Sequence, residues 1–197
     1  MRPSIVLFGD SITEQSFQYG GWGASLTDTY SRKADIVIRG YSGYTTRWAL
    51  LLLHHLFPAV KKECSPAMLI VLITPPPIDE EGRLEDAVSS YGEKAMKLPE
   101  RTNEAAGDYA NGCIEVAKEV GVSSINLWSK MQETDGWQKK FLNDGLHLTP
   151  DGNRFVYEEV LKVFNGASLT APDMPSDFPH HSEIDPHNPE KVFQQRV

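Results

Sequence analysis

Four apolar runs in this 197-residue chain are largely continuous rather than alternating, and that pattern limits the folds open to it. Ser4 to Phe8, Ala34 to Ile38, Met68 to Ile73 and the shorter Ser123 to Leu127 read as strands. A strand that is apolar on both sides has both faces covered, as in a parallel sheet between layers of helices. Helical patterns fill the intervals. Gly23 to Tyr30 is a short one, and Thr46 to Phe57 is apolar nearly all round, which predicts a deeply packed helix. Ala105, Ala106, Tyr109, Ala110, Cys113, Ile114, Ala117 and Val120 recur at helical spacing, with Gly121 placed to cap the carboxyl end. Thr149-Pro150-Asp151 predicts a helix start, with a capping hydroxyl, proline at the first helical position and a carboxylate favoured by the dipole. Phe155, Val156, Val160, Leu161 and Phe164 then form its inward face. Strands alternating with helices give an α/β sandwich around a parallel sheet.

Length supports one domain, over residues 1–165, and 40% apolar content is enough for it to bury a core. From Gly166 to Val197 proline, serine, aspartate and histidine dominate without periodicity, which predicts an extended, mobile polar tail. A formal charge of −8 argues against a nucleic-acid partner, because such surfaces are basic. The apolar run after Met1 is too short for a signal peptide, and Trp48 to Phe57 is too short for a membrane span. The expected location is cytoplasmic, with Cys64 and Cys113 as free thiols. Gly20, Gly21 and Gly23 are not followed by Gly-Lys-Ser/Thr, which removes the phosphate-loop reading. The histidines and acids of the tail fit no recognisable metal spacing.

In an open α/β sheet, ligands bind beyond the carboxyl ends of the strands. Ser11, in "IVLFGDSITEQSF", stands there, directly after the first strand. A serine hydroxyl is a weak nucleophile at neutral pH, so it needs a base, and the base needs an orienting group. Asp144 and His147, three residues apart in "FLNDGLHLTPDG", can supply both from one loop. His54 and His55 fall in the apolar helix, and His180, His181 and His187 fall in the tail. Asp10 reads as a structural hydrogen-bonding residue, and Ser11 by itself could equally be a turn or capping serine.

Taken together, Gly9-Asp10-Ser11, Gly43 in "RGYSGYTT" and Asp144-x-x-His147 resemble three of the four motif blocks of the SGNH (GDSL) hydrolases. "GGWG", "RGYSGYTTRWAL", "VLITPPP", "EKAMKLPERTN" and "GLHLTPDG" resemble the plant and fungal isoamyl-acetate-hydrolysing branch. The resemblance implies a serine esterase acting on small, acetate-type esters without cofactor or metal. Ser11 would be the nucleophile, His147 the base, Asp144 its orienter, and the N–H groups of Ser11 and Gly43 the oxyanion donors. It also implies a flavodoxin-like three-layer α/β/α sandwich with strand order 2-1-3-4-5. One block is missing. No Gly-x-Asn-Asp follows a third strand, and between Phe57 and Met68 there is room for neither that strand nor its helix. The chain reads as a shortened form whose sheet lacks its central third strand and must close up or leave a gap. A catalytically inactive, ligand-binding member of the same fold is the competing reading, and oligomeric state is not legible.

Overall fold

The computed structural model describes residues 2–56, 68–95 and 100–193. Phe57, Cys64 and residues 96–99 of the "EKAMKLPERTN" stretch lie outside the described residues. The chain begins with strand β1 (Ser4–Gly9), short helix α1 (Ser11–Glu14), α2 (Trp22–Thr29), β2 (Asp35–Gly40) and α3 (Thr46–Leu56). It continues through β3 (Val71–Ile73), α4 (Glu80–Tyr91), α5 (Asn103–Val120), β4 (Ser123–Ile125), α6 (Leu127–Gln132) and α7 (Trp137–Phe141). Helix α8 (Pro150–Gly166) and the short α9 (Glu190–Phe193) complete it. Both strand ladders among the described residues are parallel, with Ser4 opposite Asp35 and Val71 opposite Ser123 at the two starting registers.

The architecture is the three-layer α/β/α sandwich. Ile5, Leu7, Ile36, Ile38, Val71, Ile73 and Ile125 face one core, filled by Leu26 and Tyr30 of the α2 region and Val156, Val160 and Phe164 of α8. Leu72, offset by one residue, faces the opposite way, toward Tyr109, Cys113 and Val116 of α5. Period-two alternation therefore sends neighbouring side chains of one strand into two different helical layers. Full burial of a large apolar side chain such as Leu26 stabilises the fold by about 1.5–3 kcal/mol.

Among the described residues the sheet is in two halves, β1 with β2 and β3 with β4, with no ladder joining β1 to β3. Among the described residues, then, the ladder is interrupted between the two halves. An apolar cleft of about 440 Å³ opens at this seam between Thr46, Leu72 and the α5 residues Tyr109, Gly112, Cys113 and Val116.

Two expectations need correction. Helix α3 is not deeply packed: Trp48, Leu50, Leu51 and Leu53 are 50%, 61%, 67% and 37% exposed. Its all-round apolar pattern suits a helix covered on several sides, and among the described residues these side chains are not covered. The tail is also less free than composition implies. Tyr30, fully buried, donates its hydroxyl to Leu169 O at 2.7 Å, Lys33 Nζ reaches Met174 O at 2.6 Å, and Ala171 is buried in the core. Asp177 accepts ion pairs from Arg2 and Arg32. The extended segment is held by its backbone carbonyls, a signal that residue composition does not carry.

The caps behave as their chemistry dictates. Thr149 accepts from Gly152 N at 3.1 Å with Pro150 following, and Gly121 ends α5 in the left-handed conformation at φ 72°.

Candidate active site

The register that sets Gly9 beside Gly40 brings the carboxyl ends of β1 and β2 together, so the loops that follow are neighbours. After β1, the Asp10 carboxylate accepts from Ile12 N at 3.0 Å and caps α1, and Ser11 becomes the first residue of that helix. After β2, Tyr41 N donates to Gly9 O at 2.9 Å and Ser42 N to Glu14 Oε2 at 2.7 Å. These two bonds fix the loop holding Gly43 against the segment holding Ser11. Gly43 has φ +76°, a conformation that disfavours side chains. Neither the Ser11 nor the Gly43 N–H donates a hydrogen bond among the described residues.

The third contribution comes from the far end of the domain. An isolated antiparallel bridge pairs Leu142 with Leu148, and Asn143 N donates to His147 O at 2.8 Å. Within that hairpin-like loop Asp144 Oδ1 accepts from Leu146 N at 3.0 Å and His147 N at 2.7 Å. Its Oδ2 lies 2.7 Å from His147 Nδ1, and His147 Nε2 lies 3.0 Å from Ser11 Oγ. A carboxylate can only accept, so the imidazole proton belongs on Nδ1 and the Nε2 lone pair faces the serine hydroxyl. Burial pushes the Asp144 carboxyl up, but the His147 backbone N–H, the imidazole and the Leu146 N–H together hold it below the ordinary aspartate value. Asp144 therefore stays ionised beside the ring at neutral pH. The Asp144 and His147 side chains keep 23% and 27% of their surface exposed, so the site is reachable from solvent.

Ser11, Asp144 and His147, separated by up to 136 residues in sequence, thus form one hydrogen-bonded line, with Gly43 in the adjoining loop. Of the tail histidines, His180 and His181 lie against each other, with ring centroids 4.0 Å apart and the planes tilted by 48°.

Several supporting residues carry no sequence signal. Asn153 Oδ1 accepts from Trp22 N at 3.2 Å, its Nδ2 donates to Thr149 O at 3.0 Å, and Trp22 Nε1 donates to Ile12 O at 3.2 Å. This chain of bonds links the first turn of α8, next to His147, to the residue after Ser11. Gly145, at φ +79°, carries the loop past α4, where a Cβ would stand 2.3 Å from Asp79 O. Arg83 of α4 reaches Asp144 itself, with Nη1 at 3.3 Å from Oδ2. Nothing in "EEGRLED" separates Arg83 from an ordinary surface arginine.

Comparison with known proteins decides the lineage. The sequence profile of the GDSL-like Lipase/Acylhydrolase family matches residues 5–52 and 51–160. The chain belongs to that family. This GDSL protein is 55% identical to a GDSL esterase/lipase of Arabidopsis thaliana, with 100% of this chain and 99% of the relative covered. It is 35% identical to the isoamyl acetate-hydrolyzing esterase 1 homolog of Bos taurus, over 80% of each. The crystal structure of the lipase/acylhydrolase from Enterococcus faecalis superposes with a TM-score of 0.62 at 20% identity, covering 84% of this chain and 96% of that one. The last comparison establishes the fold; the family match makes this GDSL chain a carboxylic ester hydrolase by class. The alignment with the Arabidopsis relative runs over 240 positions, more than the 197 residues here, so the relative has positions without a counterpart. The two profile blocks meet at residues 51–52, inside α3.

Proposed function

We propose that this chain is a serine esterase that hydrolyses short-chain, acetate-type carboxylic esters through an acyl-serine intermediate. The observation that carries the proposal is the 3.0 Å approach of His147 Nε2 to Ser11 Oγ, backed by Asp144 at 2.7 Å from Nδ1. Ser11 Oγ attacks the ester carbonyl carbon while its proton passes to His147 Nε2. Asp144 faces the imidazolium that results. The carbonyl oxygen becomes an oxyanion, to which the Ser11 and Gly43 N–H groups donate. When the intermediate collapses, the alcohol leaves with the proton from Nε2 and Ser11 retains the acyl group. Water then attacks the acyl-serine, giving its proton to Nε2, and the carboxylic acid departs as Ser11 recovers its hydrogen. The choice of a small acetate ester follows the isoamyl acetate-hydrolyzing esterase homologs of Bos taurus and Homo sapiens to which the chain is similar.

The site has two oxyanion donors where the family supplies a third from the asparagine of Gly-x-Asn-Asp. Loss of one such donor lowers turnover by about 10²–10³, roughly 2.7–4 kcal/mol, without abolishing it. Slow hydrolysis is therefore expected. The missing block also favours one rival, a protein that binds esters without turnover.

A fluorophosphonate probe followed by peptide mapping tests the first step, and p-nitrophenyl acetate tests the cycle. The esterase reading predicts a label on Ser11 and hydrolysis above that of a Ser11→Ala variant. A folded protein that takes no label at Ser11 overturns it, and label without turnover supports the rival.

A further inference from the structure

We propose that Arg83 is a positioning residue, which seats the Asp144 carboxylate against His147 and so governs how well the imidazole serves Ser11. The inference rests on the catalytic reading above and extends it to a residue of α4, 61 positions from Asp144. Arg83 Nη1 donates to both the backbone oxygen of Asp144, at 3.2 Å, and its Oδ2, at 3.3 Å. The same Oδ2 receives His147 Nδ1. One guanidinium nitrogen thus holds the aspartate at its main chain and at the oxygen that orients the ring. Because this contact uses one nitrogen of the guanidinium, the second is left to anchor the side chain elsewhere, which a single ammonium nitrogen does less rigidly.

The guanidinium is itself held. Its other nitrogen, Nη2, donates to Glu100 Oε1 at 2.5 Å, Nη1 also meets Asp86 Oδ2 at 3.2 Å, and only 12% of the side chain is exposed. Its backbone is tied to the same loop, since Arg83 N donates to Asp79 O at 2.9 Å and Asp79 N to Gly145 O at 3.0 Å. A Cβ at Gly82 would stand 3.1 Å from Gly145 Cα, so the first turn of α4 and the Asp144 loop are in direct backbone contact. The loop that delivers the triad acid and base is therefore clamped from α4, and the clamp ends on the acid.

The charges facing Arg83 are Asp86 of its own helix, Glu100 from the segment before α5, and Asp144, with His147 one carboxylate beyond. Asp79, in the turn before α4, pairs instead with Lys139 of α7, which also meets Glu85. Removing the Arg83 cation takes a donor from both the backbone oxygen and Oδ2 of Asp144 and leaves the carboxylate less fixed against His147.

Arg83→Met and Arg83→Lys are compared with the parent by p-nitrophenyl acetate kinetics and by the downfield proton resonance of the His147 Nδ1–H. We expect Arg83→Met to lower kcat about tenfold or more with KM within about twofold, since small misplacement of a catalytic group is costly in rate. Arg83→Lys regains part of the loss, and the resonance shifts or broadens in both variants. A kcat within twofold of the parent together with an unshifted resonance overturns the proposal. If Arg83→Met does not fold, Arg83→Lys decides by the same two readouts. If the parent is no faster than Ser11→Ala, the esterase reading fails, and the resonance alone then decides whether Arg83 seats Asp144.

Discussion

At the scale of single residues, the proposed chemistry depends on one proton staying on His147 Nδ1, and that depends on Asp144 being ionised. Substituting Asp144→Asn keeps the shape but lets the amide donate to the ring, which favours the tautomer with its proton toward Ser11. A loss of roughly 10⁴ in kcat is expected from p-nitrophenyl acetate assays, as in other serine triads. The same carboxylate links pH to stability. Its folded value lies below the ordinary 3.8, so the unfolded chain takes up the proton first as pH falls. Asp144 therefore stabilises the fold fully above that ordinary value, and its contribution disappears as pH drops through the lower folded value. The Tm difference between parent and Asp144→Asn, measured from pH 6 down to pH 2.5, is expected to shrink below about pH 4. Ser11, Asp144 and His147 could be selected in the sequence because their residue types and order match a known chemistry. Arg83 and Asn153 could not, because arginine and asparagine on helices have many uses and their partners here lie 61 and 131 positions away.

At the scale of elements, α8 does two tasks: it fills the core with Val156, Val160 and Phe164, and its first turn closes the loop that carries His147. Thr149 holds this junction. Its hydroxyl caps Gly152 N and also donates to Lys140 O, and its N–H donates to Phe141 O at 3.0 Å. Thr149→Ala is expected to lower stability by about 1 kcal/mol, read as a fall of about 2–4 °C in Tm. Activity should fall further than that loss of stability implies, because the loop next to the base loosens. The cap, the proline after it and the apolar spacing made α8 visible in the sequence. Helix α3 was equally visible as a helix, yet its burial was not, since an apolar stripe records what a helix is suited to touch and not what is present to touch it. Helices α4, α6 and α7 lack a comparably strong apolar period and emerged only in the structure.

At the scale of the whole molecule, the two half-sheets share a helical core, and among the described residues no continuous ladder joins them. Leu7 of β1 and Ile125 of β4 belong to one buried cluster with α2 and α8, and that shared core keeps Ser11 of one half within reach of His147 beyond the other. The segment after α8 adds to this core. Deleting residues 168–193 with the four beyond them removes the Leu169 acceptor of Tyr30, the Met174 acceptor of Lys33 and the buried Ala171. We expect that deletion to lower Tm by about 4–8 °C, equivalent to about 2 kcal/mol, in a thermal scan. An unchanged Tm would mean that these contacts contribute nothing to the folded domain. Among the described residues no helix is long and apolar enough to cross a membrane.

The sequence by itself determined the local events: which runs become strands, where Thr149 starts a helix and Gly121 stops one, and which hydroxyl, imidazole and carboxylate suit each other chemically. These are properties of residue type and short spacing, and they act over a few positions of chain. Only the tertiary structure decided whether a shortened α/β chain still brings Ser11 and His147 to 3.0 Å, because that distance is set by a core assembled from both halves. It likewise decided that α3 stays exposed and that Arg83 reaches Asp144, since both depend on which elements stand beside one another in space.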